Sequence, residues 1–242
     1  MNKSYVIRAG RYTTAQKKAY ETLSEKFLLS FQLNSGEYIN FEEVFGNANG
    51  VTLEIGFGMG ITTAAIAEIN PEKNYLGVEV HRPGVGRLLW EIENRSLSNI
   101  RIIEQDAVIV TEKILPPNSL EAIHVFFPDP WQKKRHRKRR LIQRPFTKTL
   151  SALLKPGGYF YMTTDWEDYA HHALEELTAT DGLVNAWKDF APPQDWRPVT
   201  KFEEKGLAKR HKIFELYFVK NNVENLSHRD TENTKNAEKS QE

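Results

Sequence analysis

An apolar run that leads directly into three closely spaced glycines constrains the fold of this chain more than any other feature. Residues 51–60 read VTLEIGFGMG, and small residues that favour a helix follow at 62–69. Glycine allows a sharp turn and a close approach to a ligand because it has no Cβ atom. The pattern therefore predicts a buried strand, a tight turn at Gly56, Gly58 and Gly60, and a helix.

Strand and helix patterns alternate along the rest of the chain. Further strands are predicted at 75–80, 99–107, 122–131, 158–165 and 212–219, and further helices at 15–31, 84–97 and 167–180. Such alternation with short links is typical of an α/β protein with a doubly wound, mostly parallel sheet. Ligands bind these sheets beyond the carboxyl ends of the strands, so we expect the site residues to follow the strands directly.

Carboxylates and glycines at these positions predict a nucleotide-like cofactor. Glu79 ends a strand 19 residues after Gly60, where a carboxylate accepts hydrogen bonds from ribose hydroxyls. Asp106 and Ala107 are placed to face an adenine amino group. Glu54 would repel a pyrophosphate but suits an ammonium group, which favours S-adenosylmethionine (SAM) over a dinucleotide. The alternative is a tight turn with ordinary surface carboxylates.

The segment FFPDPWQKKRHRKRR at 126–140 is the most distinctive part of the chain. Two prolines flank Asp129 and stiffen a turn that holds its carboxylate beside the predicted cofactor site. Seven of the eight residues 133–140 are lysine or arginine, a density typical of surfaces that bind a phosphate backbone. A solvated charged face is the alternative, and Trp131 either stacks on a base or fills the core. The expected RNA-backbone contacts are Lys134, Arg135, Arg137, Lys138, Arg139 and Arg140.

A third group of candidates precedes the last strand. Asp165 ends the fifth predicted strand, and residues 200–203 read TKFE. A carboxylate such as Asp165 or Glu203 can accept the N1–H and amino hydrogens of guanine, a donor pattern that no other base offers.

Composition excludes several classes of protein. The 242 residues include no cysteine, which excludes a disulfide scaffold, a cysteine-ligated metal centre and a thiol nucleophile. No stretch approaches the ~20 apolar residues of a membrane helix, residues 1–20 lack the apolar core of a secretory signal, and the histidines show no metal-ligand spacing. We therefore expect a cytoplasmic protein with no bound metal and no membrane partner. We divide it into a basic arm and helix (1–35), a main domain (36–220) and a disordered polar tail (221–242).

Six segments in this order carry a family resemblance. They are LEIGFGMG at 53–60, GVEVHRPGVG at 77–86, QDA at 105–107, FFPDPWQKKRHRKRR at 126–140, TTDW at 163–166 and TKFEEKG at 200–206. Together they resemble the bacterial tRNA (guanine-N7-)-methyltransferase family over roughly residues 5–220. The glycine segment is shared with many methyltransferases, whereas the proline and basic segment is highly specific.

The resemblance implies a fold, a reaction and a set of site residues. The fold is a Rossmann-like SAM-dependent methyltransferase with a seven-stranded, mostly parallel sheet and a late antiparallel strand. The reaction is methylation of guanine 46 at N7 in the tRNA variable loop. The residues implied to bind SAM are Glu54, Glu79, Asp106 and Asp129, of which Asp129 is also catalytic. Those implied to contact the substrate are Lys133, Asp165, Thr200, Lys201, Phe202 and Glu203.

Two other functions fit parts of the pattern. An exocyclic-amine methyltransferase has an acidic or amide residue, two prolines and an aromatic residue at the same strand end, but here one proline separates Asp129 from Trp131. A non-catalytic RNA-binding protein on a methyltransferase fold is the other alternative, although the intact acidic set argues against it. Both a monomer and a homodimer fit the sequence.

Overall fold

The computed structural model of the chain describes residues 4–5, 12–31, 36–198, 203 and 212–221. The helices are α1 Thr14–Phe27, α2 Phe41–Phe45, α3 Ile61–Ile69, α4 Arg82–Asn94, α5 Ala107–Lys113, α6 Phe146–Leu153 and α7 Glu167–Thr178, with a 3-10 helix at Lys134–Arg139. The strands are β1 Val51–Ile55, β2 Asn74–Val78, β3 Ile100–Ile103, β4 Leu120–Phe126, β5 Leu154–Thr164, β6 Leu183–Asn185 and β7 Phe214–Lys220. The predicted tail lies almost entirely outside the described residues.

All seven strands form one sheet in the order β3-β2-β1-β4-β5-β7-β6. The pairs β1–β2, β2–β3, β1–β4 and β4–β5 are parallel, whereas β7 is antiparallel to both β5 and β6. The predicted fold, including its late antiparallel strand, is confirmed. The strand order reverses between β1 and β4, and this switch opens a crevice beyond their carboxyl ends.

Helices cover both faces of the sheet. Residues of α1, α3 and α4, such as Phe27, Ile66 and Leu89, form one buried cluster with β2 and β3. Residues of α6 and α7, such as Phe146 and Tyr169, form a second cluster with the central strands. Since both faces of the sheet are covered, all five residues of β1 are buried, including the polar Thr52 and Glu54.

Several elements differ from the sequence prediction. The helix predicted at 15–31 ends at Phe27, because Leu28 forms a β-bridge with Ile102 and the amide of Leu29 donates to Ile102 O at 2.8 Å. The strand predicted at 99–107 ends at Ile103, and Asp106 instead caps α5. The strand β6 was not predicted, because its three residues are too few to show an alternation of apolar and polar residues.

Within the described residues, no helix is both long and apolar enough to cross a membrane.

Candidate active site

A cavity of about 240 Å³ lies at the crevice between β1 and β4. It is bounded by the ends of β1, β2 and β4, by the start of α5 and by two N-terminal residues. The lining residues are Ser4, Tyr5, Ile55, Gly56, Val78, Glu79, Val80, His81, Gln105, Ala107, Phe126, Phe127, Pro128, Asp129 and Leu141. Of the predicted cofactor residues, Gly56, Glu79, Ala107 and Asp129 therefore meet at one cavity.

Residues 56–60, the glycine turn, join β1 to α3. Gly56, Gly58 and Gly60 have φ angles of 74°, 59° and 67°, in the left-handed region that costs glycine little. A Cβ atom on Gly60 would also lie 2.6 Å from Cβ of Leu88. Glycine is therefore required at position 60 by both its conformation and its close packing against α4.

The carboxylate of Glu79 holds the glycine turn against the end of β2. Its Oε2 accepts a hydrogen bond from the amide of Gly58 at 2.9 Å. Its Oε1 accepts from the amides of Val80 at 2.7 Å and His81 at 3.0 Å. Three backbone donors thus fix this carboxylate at the cavity wall, and an ionised carboxylate has about four acceptor sites, so one remains for a ligand hydroxyl.

Glu54 lies beneath the cavity rather than in its wall. It is 3% exposed in the middle of the sheet. Burial raises the pKa of Glu54 to about 8, the side chain of Thr63 opposes this shift, and the charge of Glu79 adds to it. A buried carboxyl group of this kind gains a favourable partner when a cation binds nearby.

Asp106 is linked to the cavity by Tyr5, a lining residue that forms a hydrogen bond with it. Its Oδ1 accepts a hydrogen bond from the amide of Val108 at 2.9 Å, which caps α5. Burial, together with the charge of Asp106 and a hydrogen bond to it, raises the pKa of the Tyr5 phenol. Tyr5 therefore forms part of the site, although nothing in the sequence around it indicates this role.

Residues 127–131, the proline turn, carry Asp129 beyond the end of β4. Phe127 and Trp131 have φ angles of 48° and 47°, in a region that bulky side chains rarely adopt. The amide of Phe127 donates to Thr163 O at 2.9 Å, so the start of the turn is tied to β5. The predicted position of Asp129 in the cavity wall is therefore produced by a turn that holds two aromatic residues in unfavourable conformations.

The indole of Trp131 binds the N-terminal segment. Its Nε1 donates to Ser4 O at 3.0 Å, and the Arg139 guanidinium lies 3.7 Å from the ring centroid. Arg139 Nη2 also donates to Tyr5 O at 3.1 Å. Trp131 thus links the proline turn, the basic segment and the N-terminal residues of the cavity.

The basic segment (residues 133–140) forms a 3-10 helix after the proline turn. Lys133, Lys134, Arg135, Arg137 and Lys138 are exposed. Desolvation and the positive charges of four neighbours lower the pKa of His136. Arg137 is bonded to Asp168 at 2.8 Å, and this exposed pair contributes little to stability. The segment therefore presents a crowded positive surface beside the cavity.

Arg140 requires a correction to the predicted RNA contacts. Its side chain is 1% exposed, and its guanidinium packs over Tyr169 at 4.8 Å. Its Nε donates to Pro130 O at 3.0 Å, and it forms an ion pair with Asp168. Arg140 is buried beneath the proline turn and supports it, so it does not contact an RNA backbone.

The predicted substrate residues are spread along the same edge of the sheet. Lys133 and Asp165 are exposed directly after the proline turn and after β5. Glu203 is buried and bonds to Arg197 through both carboxylate oxygens. Thr200, Lys201 and Phe202 lie outside the described residues.

Gly84 is a site residue that the sequence alone did not reveal. A Cβ atom there would lie 1.9 Å from Gly58 O, so α4 packs directly on the glycine turn. A glycine inside a helical segment is unfavourable, and this is the sequence signal that could have indicated a close contact at Gly84.

The cavity fits SAM better than a dinucleotide. Among the lining residues that the structure describes, none is a lysine or arginine, so a pyrophosphate would find no permanently charged cation there. Two carboxylates, Glu79 and Asp129, suit hydroxyl and ammonium donors, and apolar residues such as Ile55 and Val78 suit an adenosine. Throughout the described part of the chain, no group of three histidine or acidic residues is arranged to hold a metal ion.

Comparison with known proteins gives the family. Residues 48–216 match the family described as "Putative methyltransferase". The chain is 51% identical over 218 residues to the tRNA (guanine-N(7)-)-methyltransferase of Dechloromonas aromatica (strain RCB), covering 90% of this chain and 87% of that protein. It is 50% identical over 219 residues to the enzyme of the same name from Ralstonia pickettii (strain 12J), covering 90% and 84%.

A solved structure extends the comparison to the fold. The 16S rRNA methyltransferase KamB matches with a TM-score of 0.57 and 15% identity, covering 77% of this chain and 95% of that one. This likeness concerns the fold alone, whereas the sequence identity to the two relatives extends over nine-tenths of the chain. The chain therefore belongs to the tRNA (guanine-N(7)-)-methyltransferase family.

Proposed function

We propose that this chain transfers the methyl group of SAM to N7 of a guanine in tRNA, at position 46 of the variable loop. The observation that carries the proposal is the proline turn, which places Asp129 in the cavity wall and leads directly into the exposed basic segment. Asp129 thus lies between the cofactor cavity and the basic segment, which is suited to bind a polyanion. Since tRNA is the substrate, we place the reaction in the cytoplasm.

Methylation of guanine at N7 does not require a general base. This nitrogen carries a lone pair and no proton, and SAM, when bound, supplies a methyl group already activated on a sulfonium. The protein has to align the two reactants, which is a task of proximity and orientation. Methylation leaves a positive charge on the guanine ring, and a fixed carboxylate stabilises that charge as it develops. Asp129 orients the guanine and supplies this field.

Acidic residues of β1 and of the segments after β2 and β3 hold the cofactor. Glu79 accepts from a ribose hydroxyl, Asp106 and Ala107 face the adenine, and Glu54 pairs with the ammonium group. Support comes from the position of Glu79 in the cavity wall, the bond between Asp106 and Tyr5, and the raised pKa of Glu54.

The tRNA binds along the basic segment. Its exposed side chains contact backbone phosphates, and Arg139 contributes from its place beside Trp131. Phosphate contacts position the RNA without reading its sequence. Guanine itself is recognised by Lys133, Asp165 and the residues Thr200, Lys201, Phe202 and Glu203.

The direct test is nucleoside mass spectrometry of an unmodified tRNA transcript incubated with the purified protein and SAM. We expect 7-methylguanosine, mapped to position 46, and no product from a transcript with adenine at that position. A methylated exocyclic amine would reject the N7 assignment. Measurable binding of SAM and tRNA without any methylation would instead favour a non-catalytic RNA-binding protein.

A further inference from the structure

A buried hydrogen-bond network lies beside the proline turn. It joins Tyr161 of β5, Arg197, Glu203 and Glu215 of β7, and we refer to it as the Arg197 network. The side chains of Arg197, Glu203 and Glu215 are 3%, 9% and 3% exposed. Charges taken this far out of water are maintained only when hydrogen bonds and opposite charges compensate for their lost hydration.

Arg197 donates hydrogen bonds to all three other members of the network. Its Nη1 and Nη2 donate to the two carboxylate oxygens of Glu203, the latter at 2.9 Å. Nη2 also donates to Glu215 at 2.8 Å, and Nε donates to the Tyr161 hydroxyl at 3.0 Å. The Tyr161 hydroxyl in turn donates to the other oxygen of Glu215. Only the planar fork of an arginine can hold these three partners at once.

The charges of the network agree with this geometry. Burial by itself lowers the pKa of Arg197, but the bonds to Glu203, the neighbouring Tyr161 and the bonds to Glu215 outweigh it and raise the pKa. Burial, reinforced by the bond to Glu215, raises the pKa of Tyr161. Arg197 is therefore a permanent cation between two carboxyl groups and a neutral phenol.

The register of the sheet places the network next to the proline turn. Phe126, the last residue of β4, pairs with Thr163 of β5, which pairs with Glu215 of β7. Neighbouring strands are about 4.8 Å apart, so Glu215 and Phe126 are separated by about 10 Å. The network and Asp129 therefore lie at the same edge of the sheet.

The residue before Arg197 is anchored as well. Trp196 stacks on His124 of β4 with ring centroids 4.7 Å apart and planes 19° from parallel. Burial lowers the pKa of His124 to about 3, so this partner is an uncharged ring at neutral pH. Trp196 and Arg197 are therefore both fixed on the sheet.

We infer that Arg197 is a positioning residue for methyl transfer, which holds the carboxyl group of Glu203 at the sheet edge that also carries Asp129. The inference rests on the proposed function and deepens it. Both carboxylate oxygens of Glu203 accept hydrogen bonds from Arg197. The position of Glu203, and with it any role in binding guanine, therefore depends on Arg197. Most of the tRNA affinity comes from phosphate contacts elsewhere, whereas alignment of the guanine depends on this network.

Two conservative variants test the inference. Arg197→Lys keeps the charge but cannot hold Tyr161, Glu203 and Glu215 together, and Tyr161→Phe removes a single hydroxyl. We expect kcat at saturating SAM and tRNA to fall at least tenfold in Arg197→Lys and several-fold in Tyr161→Phe. The KM for tRNA and the Kd for SAM should stay within about threefold of the unmodified protein, because displaced reacting groups cost turnover rather than phosphate binding.

The chain offers a matched control. Arg95 also joins two glutamates, Glu91 at 2.9 Å and Glu68, but it does so on the helical layer formed by α3 and α4. Arg95→Lys should therefore leave kcat unchanged. All rates are expressed per SAM-binding site, which removes the contribution of unfolded protein.

Three results would overturn the inference. They are an unchanged kcat per site in Arg197→Lys, a loss confined to the KM for tRNA, and an equal loss of kcat in Arg95→Lys. If Arg197→Lys does not fold, Tyr161→Phe decides by the same criteria. Absence of 7-methylguanosine with the unmodified protein would reject the proposed function, which is a distinct outcome.

Discussion

The glycine turn and the proline turn both reach the cavity through positive φ angles, but they use opposite kinds of residue. The glycine turn places Gly56, Gly58 and Gly60 there, where no Cβ atom opposes the conformation. The proline turn places Phe127 and Trp131 there, which costs on the order of 1–3 kcal/mol at each residue.

The difference shows how each turn is maintained. The glycine turn adopts its conformation at little backbone cost, and the carboxylate of Glu79 and the close packing of α4 hold it in place. The proline turn depends on distant partners: Ser4 and Arg139 hold Trp131, and Arg140 holds the carbonyl of Pro130. A turn maintained by tertiary contacts positions its one carboxylate, Asp129, more strictly than its local sequence could. We therefore assign cofactor binding to the glycine turn and methyl transfer to the proline turn.

The largest effect is expected at Asp129. Asp129→Asn keeps the size of the side chain but removes its charge, so the developing cation on guanine loses its stabilising field. We expect kcat to fall by about 10²–10³-fold, the range seen when one preorganised electrostatic partner is removed. The measurement is single-turnover methyl transfer with saturating SAM. Asp189→Asn, an exposed change, is the control and should retain full activity.

Neutralising the basic segment should act on RNA binding instead. The triple variant Lys134→Gln, Arg135→Gln and Lys138→Gln removes three exposed charges. We expect the KM for tRNA to rise by at least tenfold. The slope of log affinity against log salt should decrease by about 0.9 for each phosphate group that is no longer neutralised by the protein.

A matched triple variant separates this effect from total charge. Lys148, Lys155 and Lys188 are equally exposed but lie on other parts of the surface. Their replacement by glutamine should leave the KM for tRNA nearly unchanged. Equal effects of the two triple variants would mean that the basic segment is an ordinary solvated surface.

A substitution in the glycine turn should reduce stability and cofactor binding. Gly60→Ala introduces a Cβ atom 2.6 Å from that of Leu88 and a residue that disfavours the left-handed region. We expect a loss of about 2–4 kcal/mol in the free energy of unfolding, combining backbone strain with overpacking. Urea unfolding measures the loss, and Gly36→Ala serves as control for a positive φ without a close neighbour. Equal losses would assign the whole effect to the backbone.

The effect of Glu54 protonation is spread over several pH units. The folded protein keeps this carboxyl protonated up to about pH 8, whereas the unfolded chain ionises it near 4.5. The free energy of unfolding should therefore fall between these pH values by up to about 1.4 kcal/mol per pH unit. Glu54→Gln should remove this decline, and Glu112→Gln, on the exposed side of α5, should not.

The same pKa predicts proton release on cofactor binding. A cation beside Glu54 favours its ionised form, so SAM binding at pH 7 should release close to one proton. Calorimetry in two buffers of different ionisation enthalpy measures this release. Equal release by the unmodified protein and Glu54→Gln would contradict the pairing of Glu54 with the ammonium group.

Local patterns predicted the glycine turn and the position of Glu79 after the next strand. Glu79, the three glycines and the strand ends follow from hydrophobic periodicity and from the special conformations of glycine, which are properties of short segments. Contacts between distant parts of the chain were not predictable in this way. Arg140 looked like its six cationic neighbours, and only the packing of α7 beneath the proline turn identifies it as a buried residue. The carboxylate chemistry of Glu203 suggested a role in binding guanine. Its pairing with Arg197 could not be predicted, because that contact exists only in the folded protein.

The division between the two turns is tested most directly by measuring methyl transfer as a function of SAM concentration in Glu79→Gln and Asp129→Asn. We predict that Glu79→Gln requires much more SAM but approaches the full rate at saturation, because its defect is confined to cofactor affinity. Asp129→Asn should saturate at nearly the normal SAM concentration with a rate that stays low. Curves with the same defect in both variants would contradict the assignment of binding to the glycine turn and of transfer to the proline turn.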